Sequence, residues 1–163
     1  MGPSRLALER AAMKEFSIEA FADHLAGLGA GMPVLEEIVL EHIGLTVERA
    51  AKDKIGEYQA ESGPFEAWPS LAESTKEDRL RKGYSEDDPG LRSGAMRDSI
   101  EHVVLPGEVH IGSNDDDLLW FELGTSKQPP RSVIGAAAFE KTPLLMAEAG
   151  AMLEGYLAGE KLK

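Results

Sequence analysis

Between Pro33 and Tyr58 the residues Val34, Leu35, Ile38, Val39, His42, Leu45 and Arg49 recur at helical spacing towards Ile55 and Tyr58. Pro33 suits a first helical position, where the N–H it lacks would have no partner. The run predicts one helix of roughly 25 residues, about 37 Å long at 1.5 Å per residue. Gly44 and Gly56 weaken it a little. A chain of 163 residues with 42% hydrophobic content holds one ordinary domain, and a helix this long forms its backbone.

Shorter elements flank that helix. Ser17 is a side-chain cap for IEAFADHLAGL, in which Ile18, Phe21, Ala22 and Leu25 share a face, and Gly27, Gly29 and Gly31 are expected to end it. The preceding residues 1–16 read as an N-terminal arm. Glu61–Leu71, ESGPFEAWPSL, is broken by Gly63, Pro64 and Pro69 and reads as a loop pinned by Phe65 and Trp68. The charged STKEDRLRK run, ended by Gly83, reads as a short solvated helix. LRSGAMRDSI suggests a helical turn entering a strand around His102–Leu105, and Pro106-Gly107 turns the chain into the alternating Glu108–Gly112. Thr142-Pro143 resembles a helix start, with Leu145, Ala149, Met152 and Tyr156 at helical spacing after it. The resulting fold class is α+β: a small antiparallel sheet, centred on the His102–Ser113 hairpin, packed against the Pro33–Tyr58 and Thr142–Ala158 helices, all within a single domain of residues 17–163.

Charge narrows the function. With 17 Lys and Arg against 29 Asp and Glu, the net charge is −12, which argues against tight phosphate binding because cations are needed to replace condensed counterions. An acidic surface does let DNA slide past without being gripped. The absence of cysteine removes disulfides and thiolate metal sites. The N-terminus lacks the apolar core of a signal peptide, and no stretch approaches the roughly 20 apolar residues of a membrane span, so synthesis in the cytoplasm and no membrane partner are expected.

Candidate chemistry is sparse. Asn114–Asp117 offers oxygen ligands without the spacing or terminal Glu of a calcium loop, and reads as a solvated loop. His102 and His110 flank the hairpin turn and are positioned to face each other across it, but no nucleophile motif accompanies them; they read as surface residues. His24 and His42 lie on helix faces. The Gly27–Pro33 run follows a helix instead of a strand and lacks the Lys-Ser/Thr ending of a phosphate loop, and Gly124–Lys127 reads as a turn. No cofactor, metal or catalytic residue is expected, and the protein reads as a non-enzyme.

Glu122 is the anomaly. It sits in DLLWFELGTSKQPPR, inside an apolar run that breaks at once into Gly124, Pro129, Pro130 and Arg131. A carboxylate there either points outward or is paired, since burial without a partner would cost several kcal/mol. Arg131, Lys127 and Arg97 are the expected partners.

The order of LRSGAMRDSI, a strand pair ending VHIGS, LLWFELGTSKQPPRSVIGAAAFEK and a final helix resembles the tail-component and virion-morphogenesis proteins of tailed bacteriophages, the tail-completion and head–tail joining family. Leu91, Ser93-Gly94, Met96, Ser99-Ile100, Ile111-Gly112-Ser113, Glu122, Gly124-Thr125, Pro130-Arg131 and Ala136–Phe139 carry the likeness, which spans roughly Trp68 to Tyr156. Ser132 stands where the family has proline, and Trp120-Phe121 replaces its usual Tyr-Ala and His positions. The resemblance implies a virion structural protein, assembled in the host cytoplasm, that forms a ring at the neck. Such a ring, a hexamer in the tail-terminator case, joins tail tube protein to head connector or stopper proteins while DNA passes through its lumen. It further implies a Glu122–Arg131 clamp on the Gly124–Pro130 loop, with Phe65, Trp68, Trp120, Phe121, Lys127 and Pro129 among the assembly contacts. Two other readings remain open: a head-side connector or stopper, and a small metal-dependent hydrolase using the Asn114–Asp117 acids with His110.

Overall fold

The computed structural model describes residues 17–161; the expected N-terminal arm lies outside them. A long helix α1 (Ile18–Lys54) is followed by two short ones, α2 (Glu73–Arg81) and α3 (Ala95–Asp98). Strands β1 (Glu101–Leu105) and β2 (Glu108–Gly112) come next, then α4 (Asp116–Leu123) and α5 (Ile134–Leu157). The architecture is the expected α+β arrangement, with a two-stranded antiparallel sheet packed against the long helix and a C-terminal helix. Among the described residues the hairpin is the whole of that sheet. Among the described residues no helix is long and apolar enough to cross a membrane.

α1 starts where expected, with the Ala20 N–H donating to Ser17 Oγ at 3.1 Å. It does not stop at the glycines: one helix of 37 residues, about 55 Å long, runs through Gly27, Gly29, Gly31 and Pro33 to Lys54, short of Tyr58. Pro33 has no N–H for the Gly29 carbonyl, a local penalty of about 3 kcal/mol. Packing supports the helix at this point. Tyr156 of α5 lies so close to Gly31 that a Cβ there would come within 2.3 Å of its hydroxyl, and that hydroxyl donates to the Leu28 carbonyl. The sequence signals for a break were real, and a contact between distant elements outweighs them.

The buried stripe of α1 is also rotated from the expected one. Leu35, Gly44, Val47, Ala51 and Lys54 are buried, whereas Val34 and Leu45 from the expected face are 50% and 44% exposed. Small residues set this choice. A Cβ on Gly44 would come within 2.3 Å of the His102 ring, so the glycine that weakens the helix is what lets the hairpin sit on it. The core joins Val47, Ala51 and Ile55 to Trp68, Ile100, Leu118, Phe121, Val133, Ala137 and Leu145.

In the hairpin His102 pairs with Ile111 and Val103 with His110, about a two-residue turn in which Gly107 takes φ 80°. The two histidines therefore stand on opposite faces and do not meet, because neighbouring side chains on paired strands alternate. His110 is exposed and lies 3.1 Å from Glu108. His102 turns inward, its Nδ1 2.5 Å from Glu48 and its Nε2 3.3 Å from Glu41, both on α1. It is a staple between sheet and helix, not the surface residue the sequence suggested.

α5 also begins earlier than Thr142-Pro143 suggested. It starts at Ile134 and carries Pro143 inside, with Thr142 Oγ1 donating to the Ala138 carbonyl at 2.7 Å. Lys54 with Glu140 at 2.7 Å and His42 with Glu148 at 2.7 Å tie it to α1. What starts α5 at residue 134 is Glu122.

Candidate functional site: a cationic cleft beside a braced loop

α4 forms from the acidic loop and the apolar run together. Asp115 caps it by accepting from the Asp117 N–H at 2.9 Å, so the cluster read as a solvated loop supplies a helix start. Leu118 and Phe121 point into the core, and Leu119, Trp120 and Leu123 remain 53%, 50% and 69% exposed. Gly124 ends the helix with φ 73°; a Cβ there would lie 2.7 Å from Pro130 N.

Glu122 faces the start of α5. Its carboxylate accepts four bonds, from Ser132 Oγ at 2.6 Å and from the N–H groups of Val133 at 2.6 Å, Ile134 at 3.0 Å and Gly135 at 3.0 Å. The first N–H groups of a helix have no partner within it, and its N-terminal dipole favours a negative charge. An acid between Phe121 and Leu123 is thus placed to start the next helix. The proposed partners are otherwise engaged or turned away: Arg97 meets Asp98 at 3.0 Å, Lys127 is exposed, and Arg131 belongs to another group.

Arg131, 4% exposed, donates through Nη2 to the Pro69 and Ser70 carbonyls at 2.8 and 3.4 Å and through Nε to Pro69 at 3.3 Å. Its guanidinium lies 5.7 Å over the Phe121 ring, and its N–H donates to the Phe121 carbonyl at 2.8 Å. The Glu122–Arg131 clamp is not made, because the two side chains leave the loop toward different elements. The loop is braced nonetheless. Thr125 and Gln128 bridge its ends at 2.8 and 3.3 Å, and Gly124 and Arg131 fix its two stems.

The aromatic pins hold as expected. Trp68 is buried, packs edge-on to Phe121 at 5.2 Å and donates from Nε1 to the Ser132 carbonyl at 3.2 Å. Phe65 packs against Phe139 at 6.2 Å. The ten residues named as assembly contacts therefore divide. Phe65, Trp68, Phe121, Glu122, Gly124 and Arg131 support the protein's own fold, while Trp120, Lys127, Pro129 and Pro130 are exposed.

Trp120, Phe121, Lys127, Pro129 and Arg131 come together along one cleft, closed on its far side by Arg79, Arg92 and the Gly90–Met96 segment. Sequence reasoning missed Arg79. In a helix read as solvated it is 3% exposed and donates to the Asp88 and Leu91 carbonyls at 2.6 and 2.5 Å, bracing the Asp88-Pro89-Gly90 turn. No local spacing marks it, since its acceptors arrive from nine and twelve residues further on. Burial pushes the Arg79 and Arg131 guanidinium groups below their ordinary range.

Among the described residues no group of three or more His, Cys, Asp or Glu side chains could hold a metal ion. Compared with protein-family models, curated proteins and solved structures, the chain matches none of them.

Proposed function

We propose that this protein is a structural assembly component of a tailed phage or phage-like particle, a tail-completion or tail-terminator protein that forms a ring at the neck between tail tube and head connector. The observation that carries the reading is the Gly124–Arg131 loop, held at both stems by buried groups while Lys127, Pro129 and Pro130 stay outward. A pre-organised loop loses little entropy when a neighbouring subunit docks on it. Apolar exposure adds support: Ile18, Phe21 and Leu25 on the first turns of α1 are 84%, 51% and 51% exposed, and Met146 on α5 is 70% exposed.

The test is the mass of the purified protein in solution, with and without tail tube protein, by light scattering coupled to size exclusion. A ring-sized species, alone or on adding tube protein, supports the reading. A strict monomer indifferent to tube protein at high concentration overturns it, and binding to a portal-type ring instead reassigns the protein to the head side of the neck.

A further inference from the structure

We propose that the cleft between α2, the Gly90–Met96 segment, α4 and the Lys127–Arg131 stem accepts an acidic peptide segment of a different protein, a carboxylate flanked by apolar side chains. It rests on reading this cleft as a contact face. Four cations line it, Arg79, Arg92, Lys127 and Arg131, against the two carboxylates of Asp115 and Asp117, in a chain whose net charge is −12. The sign of the surface is locally reversed.

These cations are poorly neutralised. Arg79 and Arg131 are buried and donate to main-chain carbonyls, which satisfy hydrogen bonds without cancelling charge. Arg92 reaches Asp78 at 3.3 Å, but Asp78 already meets Arg81 at 2.5 Å and Lys82 at 2.9 Å. Asp115 and Asp117 both keep their charge at the cleft, so the four cations outnumber its two carboxylates two to one. An incoming carboxylate would find two exposed cations at the mouth and two buried ones behind.

The walls favour a peptide over a bare anion. Trp120, half exposed, stands beside Met96 and Pro129, an apolar surface for the side chain next to the carboxylate. A nucleic acid is disfavoured by the acidity of the rest of the surface. Asp115, which lines the cleft, already caps α4, and Asp87 meets the Tyr58 hydroxyl and Lys76, so neither of these two acids is the carboxylate the cleft takes.

The probe is an acetylated, amidated Asp-Phe-Glu-Leu-Asp peptide titrated into the whole protein, followed by tryptophan fluorescence and calorimetry. Trp68 is buried, so the spectral change belongs to Trp120 and disappears in Trp120→Phe. Saturable binding is expected, weakened by about tenfold or more when the exposed Arg92 and Lys127 are both changed to Glu. Neither side chain holds the core, and an unchanged melting curve confirms that the double variant is folded. Absence of saturable binding, or equal affinity in the double variant, overturns the proposal. So does an equal response to inorganic phosphate, which would mark a small-ion pocket only. A peptide-binding protein that stays monomeric and ignores tube protein keeps the cleft chemistry and loses the neck reading. Ring assembly with no peptide binding does the reverse.

Discussion

Replacing Glu122 by alanine removes one acceptor group from four donors at once: the Ser132 hydroxyl and the N–H groups of Val133, Ile134 and Gly135. A hydrogen bond to a charged group contributes about 1.5–3 kcal/mol, and a buried donor left without a partner costs about 1–3 kcal/mol. These contributions do not add fully, because a half-buried carboxylate leaves a gap that water can enter. The expected loss is about 3 kcal/mol, a substantial share of the roughly 5–15 kcal/mol that holds a domain together. In a chain of this size it corresponds to a fall in melting temperature of about 6–12 °C. Glu122→Gln keeps an acceptor but loses the charge, and is expected to cost about half as much. Urea unfolding midpoints at unchanged slope measure the loss, and hydrogen exchange locates it at the first turn of α5. A loss below about 1 kcal/mol for Glu122→Ala, with the amides of residues 133–135 still protected, would refute the capping role.

Three further outcomes are expected. Gly44→Ala should gain about 1 kcal/mol from helix propensity alone, but its Cβ would meet the His102 ring at 2.3 Å, so a net loss of about 1–2 kcal/mol is expected on thermal melting; a gain would show that the hairpin does not sit where described. His102 is held above its ordinary value of 6.5, first by the hydrogen bond to Glu48, against burial and with help from Glu41. Glu48 is held below 4.5, first by Lys52 and, against burial, by His102. A raised histidine stabilises fully below its unfolded value and loses that contribution as pH rises through the folded one, while a lowered carboxylate loses its own as pH falls. The staple therefore contributes most between 4.5 and 6.5, and His102→Gln should flatten the decline in melting temperature above 6.5; an unchanged profile would contradict it. Tyr156→Phe should cost about 1 kcal/mol and speed amide exchange around Gly29–Met32, and equal exchange rates would mean that α1 spans Pro33 without that support.

Where structure depends on neighbours in sequence, the chain could be read directly. The Ser17 cap and the Pro106-Gly107 hairpin turn each follow from residues within a few positions of one another. Their geometry is local, and so are their signals. The α+β class also followed from periodicity, although the rotation of the α1 stripe did not, because Gly44 and Ala51 bury one face only once a hairpin is there to cover it.

Tertiary contacts decided the rest, and the site most of all. Pro33 and Pro143 read as first helical residues, yet both lie inside helices, at Pro33 because a Tyr156 far along the chain fills the weak point. Arg131 was an obvious partner for Glu122 by proximity in sequence, but proximity does not set direction: one side chain caps α5 and the other reaches back to Pro69. Arg79 looked like one more charge on a solvated helix until the Asp88–Leu91 turn closed over it. The sequence alone determined which groups seek partners, since desolvation makes every buried charge and open helix end demand one. Only the folded chain, by bringing distant segments within 3 Å, determined which partners they found.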